Sequence, residues 1–489
     1  MRTTGQLHTA GTWLDGHGRP LVSASPYDGD TVWMGKQATE LQVHEACAAA
    51  CAFFNATWSR TTERDCIAIV ERFGRTLEHH APLLKKKISE EAGKPLWEAA
   101  TEVAATIAKI EISIKSLRER RRPTLTEDKG LVSRTRYKPH GVLAVLGPFN
   151  FPSHLPNGHI VPAVLGGNCV VFKPSELTPG VGEVLVRCWL EAGLPAGAMT
   201  LLQGDAAVGK ALASEDAVDG VLFTGSSAAG RELARTLADR PDRILALEMG
   251  GNNPIVVDEV ADVRAAVALV LQSAFLSAGQ RCTCARRLIV PEATAATLLP
   301  ALVSAAGQLR VGKPDASPQP FFGPVISRRA AERVLAAQEA LLAGGGVSLL
   351  EMRRLDDGCL LSPGIVDVTG VINRQDEEVF GPLLQVVRVP DFDAALIEAN
   401  ATRFGLAAAL VSDDLVRWDS FQRVIRAGVV NWNQPTTGAS SRLPFGGVGA
   451  SGNHRPSGYF AIDYCNMPVA GLEREKAAVP NDLPPGLVV

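Results

Sequence analysis

The chain has 489 residues, of which 46% are hydrophobic and 21% charged, and its formal net charge at pH 7 is -3. A chain of this length exceeds what one hydrophobic core usually serves, so two or more lobes are expected. With so little net charge there is no electrostatic reason to bind a polyanion, and a nucleic-acid partner is not expected. No apolar run reaches the roughly 18–20 residues of a membrane span, and the first residues lack the apolar stretch of a secretory signal. We therefore expect a cytoplasmic, multidomain globular protein without a membrane partner.

The nine cysteines are odd in number and scattered, unlike the framework of a disulfide-rich protein. Two of them, Cys282 and Cys284, lie one residue apart in SAGQRCTCARR. A zinc site needs about four Cys or His ligands, usually at wider spacing, so no metal is expected. From the residues alone, the pair is either two inert core thiols or a nucleophile with its neighbour, whose thiolate the arginines at 281, 286 and 287 would favour.

In chain order, the stretch from Thr39 to Arg121 comes first, and its apolar residues recur at three- and four-residue spacing, which predicts several long helices. A polar, alternating stretch follows around Asp128-Lys129-Gly130 and predicts a hairpin. The short β-runs GVLAVLGP, NCVVFKP, MTLLQG, DGVLFTGS, ILALEMGG and NPIVVD then alternate with helical segments, which indicates a mostly parallel sheet over about 145–255.

A second lobe begins with the helical segment DVRAAVALVLQSAFLSAG and has its own β-runs, RRLIVP, LLQVVRVP, LAAALVS and GVVNWN. It ends near the glycine-rich stretch NQPTTGASSRLPFGGVGASG. The C-terminal segment after it reads as one further strand followed by a mobile end.

Small ligands of an open α/β sheet bind beyond the carboxyl ends of its strands, so those ends are where a ligand site is expected. In VLFTGSSAAG, Phe223-Thr224 ends a strand, Gly225 forms the turn, and Ser226 opens a helix with Gly230 one turn later. Free N–H groups at such a helix start can hold a diphosphate, although an ordinary strand-to-helix turn has the same residues.

A second strand-end motif, GDAAVGKA, matches G-x-x-x-x-G-K, the start of a triphosphate-binding loop. The position that must be Ser or Thr to ligate Mg²⁺ is Ala211, so this reading is disfavoured.

Two further strand ends carry charged residues. Lys173 and Glu176 in FKPSE can bind ribose hydroxyls, or else form a solvated surface pair. Glu248 in LEMGG is either a general base, with a pKa raised in a dry cleft, or a carboxylate that merely ends the strand.

Together, GPFNFP, FKPSE, FTGS, LEMGG, GQRC and EEVFGP resemble the ordered motifs of the NAD(P)-dependent aldehyde dehydrogenase superfamily, over roughly residues 140–450. The resemblance implies that Cys282 is the nucleophile and Cys284 a neighbour. It also implies that Glu248 is the general base and that the Asn150 amide stabilises the oxyanion, with a thiohemiacetal and a thioester formed on the cysteine. One departure is Phe149, where many relatives have Trp.

The same resemblance implies the cofactor contacts. Lys173 and Glu176 would hold the adenosine ribose, and a carboxylate there would repel a 2′-phosphate, which favours NAD. The diphosphate would lie at the helix start, and the nicotinamide ribose near the EEVFGP motif. The residues assigned to these contacts, besides Lys173 and Glu176, are Gly225, Ser226, Gly230, Glu378 and Phe380.

The implied architecture is an α/β fold with a Rossmann-like cofactor domain, an α/β catalytic domain and a small β flap. We assign 1–121 and 145–252 to the NAD-binding domain, 253–440 to the catalytic domain, and 122–144 and 466–489 to the flap. In the family the flap pairs with another subunit, so a homodimer or higher homo-oligomer is expected.

The stretches PFNFPSHLPNGHIVPAVLGGN and NWNQPTTGASSRLPFGGVGASGNHRPSGYFAIDYC are most similar to family members that oxidise an N-succinylated, amino-acid-derived semialdehyde in arginine degradation. The small-molecule substrate would carry carboxylates, and Arg442 is the expected substrate-binding cation, because a guanidinium grips a carboxylate with paired hydrogen bonds. Oxidation of another aldehyde is the alternative within the family. Outside it, the alternative is a nucleotide-binding protein without oxidation chemistry.

Overall fold

A computed structural model describes residues 1–128, 130–479 and 483–489. Lys129 of the predicted hairpin turn and residues 480–482 of the predicted flap lie outside this set. The described chain forms two seven-stranded sheets flanked by helices, a three-stranded sheet and a two-stranded sheet. This is the α/β architecture that the alternation of strands and helices predicts.

The first large sheet contains five of the six β-runs predicted over about 145–255. Its strands in spatial order are β11 (Ile244–Met249), β10 (Gly220–Gly225), β7 (Val142–Leu146), β8 (Cys169–Lys173), β9 (Met199–Leu201), β1 (Leu7–Thr9) and β2 (Thr12–Leu14). The first five run parallel, and β1 is antiparallel to both of its neighbours. Every residue of β7 and β8 is buried, since helices cover both faces of the sheet. Strands β1 and β2 were not predicted, because three residues are too few for alternation to show.

Helices pack on both faces of this sheet. The long helices predicted after Thr39 are α1 (Glu40–Ala56), α2 (Glu63–His79), α3 (Ala81–Ala92) and α4 (Leu96–Arg120). The crossovers between parallel strands contain α5 (His154–Leu165), α6 (Pro179–Glu191), α7 (Ala206–Ser214) and α8 (Ser227–Thr236). Helix α2 shows why apolar spacing predicts these helices. Its buried face contains apolar residues three and four positions apart: Cys66, Ile69, Val70, Phe73 and Leu77.

The second large sheet forms the other lobe and has its own hydrophobic core. Its strands in spatial order are β14 (Val347–Leu350), β15 (Gly364–Asp367), β16 (Leu383–Val389), β13 (Ala285–Pro291), β12 (Asn253–Val257), β17 (Ala407–Val411) and β18 (Val429–Trp432). Its helices are α9 (Val263–Phe275), α10 (Glu292–Gly307), α11 (Arg328–Ala343), α12 (Phe392–Asn400) and α13 (Leu415–Val424). The run NPIVVD, grouped with the first lobe from the sequence, is β12 of this sheet; periodicity alone does not reveal which sheet a buried strand joins.

The predicted hairpin and the C-terminal strand form one small sheet. Its strands are β5 (Thr124–Asp128), β6 (Leu131–Lys138) and β19 (Met467–Glu473), in the antiparallel order β19, β6, β5. Strand β19 therefore pairs within its own chain, and all five residues of the outer strand β5 are exposed. Near the N-terminus, β3 (Pro20–Ala24) and β4 (Thr31–Lys36) form the two-stranded sheet. The domain boundaries assigned from the sequence stay a prediction.

All nine cysteines are free thiols. Among the described residues, no helix has the length and apolar character to cross a membrane. In the same part of the chain, no group of three or more His, Cys, Asp and Glu side chains is arranged to hold a metal ion.

Candidate active site

Three of the predicted site residues converge from separate strands. Asn150 lies four residues after β7 ends at Leu146, and Glu248 is the next-to-last residue of β11. Cys282 precedes β13 of the second sheet, in a loop that follows a short 3₁₀ turn, Leu276–Gly279. The contacts described next join Cys282 to Glu248 and its loop to Asn150, so the site lies between the two large sheets.

The loop before Cys282 has an unusual backbone. Ser277, Ala278 and Gly279 have φ of 55°, 53° and 71°, three successive residues in the left-handed region. Such residues cost about 1–3 kcal/mol each when they are not glycine, so the surroundings must hold them. A Cβ at Gly279 would also clash with the carbonyl oxygen of Gly381. The nucleophile loop, residues 277–284, is therefore strained and tightly packed.

Side-chain amides hold this loop through its carbonyl groups. The Asn150 Nδ2 atom donates to the Gln280 carbonyl at 2.9 Å. Asn253 Nδ2 donates to the carbonyls of Cys282 at 2.7 Å and Cys284 at 2.9 Å. Asn253 was not predicted, and the only sequence signal for it is its place in the polar pair after LEMGG.

The structure separates the two cysteines by accessibility. Cys284 is fully buried, and its Sγ lies 3.7 Å from the Leu276 carbonyl. Cys282 is half-buried, so part of this residue is exposed. Of the two thiols, Cys282 is the one placed to react.

Glu248 lies beside the Cys282 thiol in a site from which water is largely excluded. Its side chain is 1% exposed, and burial raises the pKa of Glu248 to about 8 against the lowering effect of a hydrogen bond with Cys282. Burial, followed by the charge of Glu248, raises the pKa of the Cys282 thiol well above its ordinary value. The carboxylate is therefore the group placed to receive the thiol proton.

The arginines near the cysteines make other contacts. Arg281 donates to Glu98 at 2.5 Å and to Ser277 at 2.9 Å. Arg287 donates to the carbonyl of Asn252 at 3.0 Å. The causes of the Cys282 pKa shift are burial and neighbouring acidic groups, so the activation of the thiol by arginine that the sequence suggested is not what the structure favours.

The turn after β10 has the form predicted for a diphosphate site. Ser226 is the N-cap of α8, and its Oγ accepts from the Ala229 N–H at 3.2 Å. A Cβ at Gly230 would clash with the Met249 side chain, so the helix packs closely on β11. Gly225 likewise has no room for a Cβ, which would meet the Phe223 ring. A helix start at the carboxyl end of a parallel strand has the donors that a dinucleotide phosphate needs.

Lys173 and Glu176 lie together at the end of β8. Lys173 Nζ donates to the carbonyls of Pro174 at 2.7 Å and Gly204 at 2.8 Å, and it lies 3.9 Å from Glu176 Oε2. The Lys173 side chain is buried, whereas Glu176 is 41% exposed. An exposed carboxylate beside a fixed ammonium group has the polarity to bind ribose hydroxyls.

Glu378 lies against the backbone that follows Glu248. Its Oε1 accepts from the Gly251 N–H at 3.1 Å, and a Cβ at Gly250 would overlap its carboxylate. Burial raises the pKa of Glu378 to about 7. Phe380 packs edge to face with Phe149, with ring centroids 5.9 Å apart. Glu378 and Glu248 are thus close enough for their charges to interact.

Arg442 lies on an exposed part of the loop after β18, where its N–H donates to Ser440 Oγ at 3.2 Å. The structure gives no contact between Arg442 and the Cys282 cluster, so its predicted role stays a prediction.

The structure does not favour the interpretation of GDAAVGKA as a triphosphate-binding loop. The Asp205 carboxylate caps α7 by accepting from the Ala207 N–H at 2.9 Å, and it places negative charge where a phosphate would bind. The lysine of the motif, Lys210, forms an exposed ion pair with Glu232 at 3.0 Å.

Two buried acids on α4 were missed from the sequence. Glu98 accepts from both Ser277 and Arg281, and Glu102 accepts from the Ser153 N–H at 2.9 Å and from Lys94 Nζ at 2.6 Å. The acids lie four residues apart in a pattern that also fits a solvated helix face, so the sequence has no signal that they are buried.

Comparison with known proteins agrees with this geometry. Residues 13–468 match the model of the Aldehyde dehydrogenase family. The chain is 55% identical over 484 residues to the N-succinylglutamate 5-semialdehyde dehydrogenase of Ectopseudomonas mendocina (strain ymp), covering 99% of both chains.

Solved structures share the fold. PnpE from Pseudomonas sp. WBC-3 superposes with a TM-score of 0.91 at 29% identity, covering 98% of this chain and 99% of that one. The 1-pyrroline-5-carboxylate dehydrogenase from Thermus with bound NAD has a TM-score of 0.90 at 29% identity, covering 96% and 92%. The chain therefore belongs to the aldehyde dehydrogenase family.

Proposed function

We propose that the protein oxidises N-succinyl-L-glutamate 5-semialdehyde to N-succinyl-L-glutamate with NAD, in the succinyltransferase pathway of arginine degradation. The observation that carries the proposal is the near-complete match to an N-succinylglutamate 5-semialdehyde dehydrogenase, 55% identical over 99% of each chain. The cluster of Cys282, Glu248 and Asn150 has the groups that aldehyde oxidation requires.

The first step forms a bond between the Cys282 sulfur and the aldehyde carbon. The thiol proton moves to Glu248, the nearest base, and the thiolate adds to the carbonyl to give a thiohemiacetal. The carbonyl oxygen becomes negatively charged as this bond forms. One N–H of the Asn150 amide is held by the Gln280 carbonyl, and the other can donate to this oxygen, which is the function of an oxyanion hole.

NAD supplies the hydride acceptor for the carbon attached to Cys282, and the loss of hydride leaves a thioester on the sulfur. Glu248 releases the thiol proton to solvent and then takes a proton from a water molecule, which attacks the thioester carbon. Cleavage of the carbon–sulfur bond releases the acid and restores Cys282. Each turn of the cycle would consume one aldehyde, one NAD⁺ and one water, and would yield one carboxylate, one NADH and two protons.

The side chains fit a dinucleotide and favour NAD over NADP. The N-terminus of α8 with Ser226 would hold the diphosphate, Lys173 and Glu176 the adenosine ribose, and Glu378 with Phe380 the nicotinamide ribose. The partly exposed Glu176 carboxylate would repel a 2′-phosphate on that ribose, which is the basis of the preference.

The proposal also assigns a role in substrate binding to Arg442. Arg442 would bind a carboxylate of the semialdehyde, since an exposed guanidinium is free to form paired hydrogen bonds.

The outer edge of β5 is exposed along its length, and unpaired strand edges are places where another chain adds. A homodimer or larger homo-oligomer built through the flap would use this edge.

The test is NADH production from N-succinylglutamate semialdehyde, compared with a panel of uncharged and mono-acidic aldehydes. The Cys282→Ala enzyme should be inactive, and Cys284→Ala should keep most of its activity if it folds as the wild type does. A higher kcat/KM for another aldehyde would replace the proposed substrate. Full activity without the Cys282 sulfur would overturn the mechanism.

A further inference from the structure

Arg286 is a buried cation between the nucleophile loop and the segment that carries Glu378. Its side chain is 0% exposed. Nη1 donates to the Gly279 carbonyl at 2.6 Å, and Nη2 donates to the Arg281 carbonyl at 2.9 Å. Nη2 also lies 3.9 Å from Glu378 Oε1. A guanidinium without water needs such partners, because burial of an unpaired charge is strongly unfavourable.

Its two hydrogen bonds fix the loop on either side of Gln280. The Gln280 carbonyl accepts from Asn150, so three successive carbonyls, from 279 to 281, are held by side-chain donors. The loop contains left-handed residues that would relax without such restraint. Arg286 therefore acts on the position of the Cys282 sulfur through the backbone.

The same guanidinium acts on Glu378. Burial raises the pKa of Glu378, and the Arg286 charge is the first of the effects that oppose the rise. An ionised carboxylate accepts hydrogen bonds from hydroxyl groups, whereas a protonated one has lost part of that capacity. The Arg286 guanidinium also lies 5.3 Å from the centre of the Phe380 ring, so it lies near two residues of the EEVFGP motif.

We propose that Arg286 is a positioning residue that fixes the Cys282 loop and orients a charged Glu378 towards the nicotinamide ribose. One cation would thereby set the relative placement of the nucleophile and the cofactor. This inference rests on the proposed roles of Cys282 and Glu378, and it adds a residue that touches neither substrate nor reacting atoms.

The experiment compares Arg286→Met and Arg286→Lys with the wild type by two measurements that need no aldehyde. The first is NAD binding by calorimetry across a pH series. The second is the alkylation rate of Cys282 by iodoacetamide without NAD, followed by mass spectrometry. Arg287→Met is the matched control, because Arg287 is the adjacent buried arginine and donates to the Asn252 carbonyl instead of the nucleophile loop.

In Arg286→Met, NAD binding should weaken by about tenfold or more, as expected on loss of a charge-assisted contact. The deficit should grow as pH falls, because Glu378 without its cation is protonated at a higher pH than in the wild type. The rate at which iodoacetamide alkylates Cys282 should also change, because the loop has lost two of its hydrogen bonds. Arg286→Lys should recover the pH dependence of NAD binding, since it keeps the charge, but not the alkylation rate, since an ammonium group does not span both carbonyls.

Unchanged NAD binding and alkylation in Arg286→Met would overturn the inference, and so would equal changes in both measurements in Arg287→Met. Glu378→Gln should remove most of the effect of Arg286→Met on NAD binding, whereas additive effects would contradict the coupling. Oxidation of a different aldehyde would overturn the proposed substrate but leave both measurements intact, so the two failures are distinguishable.

Discussion

The Asn150 side chain donates a hydrogen bond to the main-chain carbonyl of Gln280, 130 residues further along the chain. This bond links the loop after β7 of the first sheet to the nucleophile loop of the second. It also orients the amide, because one N–H is fixed and the other is left for the substrate oxygen. The proposed oxyanion site would thus be assembled by the contact between the two lobes.

Asn150→Ala should lower kcat by about 10²–10³-fold, the usual cost of one oxyanion donor. The measurement is steady-state kinetics with saturating NAD. Asn157→Ala is the control, because Asn157 is also a buried asparagine but donates to the Thr106 carbonyl. An equal fall in kcat in both variants would indicate a folding defect instead of a lost donor.

Glu248→Gln should impair hydrolysis of the thioester more than its formation. We expect a burst of NADH near one per active site, slowed because the thiol has lost its nearest base, and then a steady-state rate lower by about 10²–10⁴-fold. In the wild type the hydrolysis rate should rise with pH through about 8, as Glu248 loses its proton. Rapid-mixing fluorescence of NADH measures both phases. A normal steady-state rate in the variant would remove Glu248 from this role.

Glu176→Gln should shift the cofactor preference towards NADP, because it removes the charge that repels a 2′-phosphate. The ratio of kcat/KM values for NAD and NADP is the measurement, and we expect it to fall by about tenfold or more. Glu232→Gln is the control, since Glu232 is an exposed acid on α8 of the same lobe. The same ratio in wild type and Glu176→Gln would contradict the assignment.

Arg442→Ala should raise the KM for the acidic semialdehyde by about 10- to 100-fold, the usual effect of losing a hydrogen bond to a charged group. KM for an uncharged aliphatic aldehyde should stay near its wild-type value. Arg423→Ala, on the exposed surface of α13, is the control. Equal losses for both aldehydes in Arg442→Ala would defeat the carboxylate role.

Burial of Lys109 should make the free energy of unfolding depend on pH, independently of catalysis. It is fully buried, its Nζ donates to the Ser457 carbonyl, and burial lowers the pKa of Lys109 to about 7. A lysine in the unfolded chain has a pKa near 10.4, so between about 7 and 10.4 the unfolded chain binds more protons. The free energy of unfolding should therefore rise with pH across this window, by at most about 1.4 kcal/mol per pH unit from this group, and level off below it.

Urea unfolding at several pH values within this window tests the prediction on Lys109→Met, which should flatten the rise. Lys115→Met, on the exposed side of the same helix, should keep the wild-type slope. Identical slopes in the wild type and Lys109→Met would show that Lys109 keeps its proton in the folded protein.

The sequence by itself determined the elements and the family motifs. Apolar spacing predicted α1 to α4, and buried runs predicted β7 to β13 and β16 to β18, because these patterns depend on neighbours along the chain. The ordered motifs also placed Cys282, Glu248 and Asn150 in one site. Strands β1 to β4, β14 and β15 were not predicted, and β1 and β2 have only three residues, too few to show a period.

Only the tertiary structure decided which groups act on one another. It buried Cys284 and left Cys282 accessible, paired Arg281 with Glu98, and turned Arg286 towards the loop carbonyls. These contacts join residues from different strands and helices, and burial changes both their protonation and the strength of their charges. Spacing along the chain contains no information about such distances, so the chemistry of the site follows from the fold.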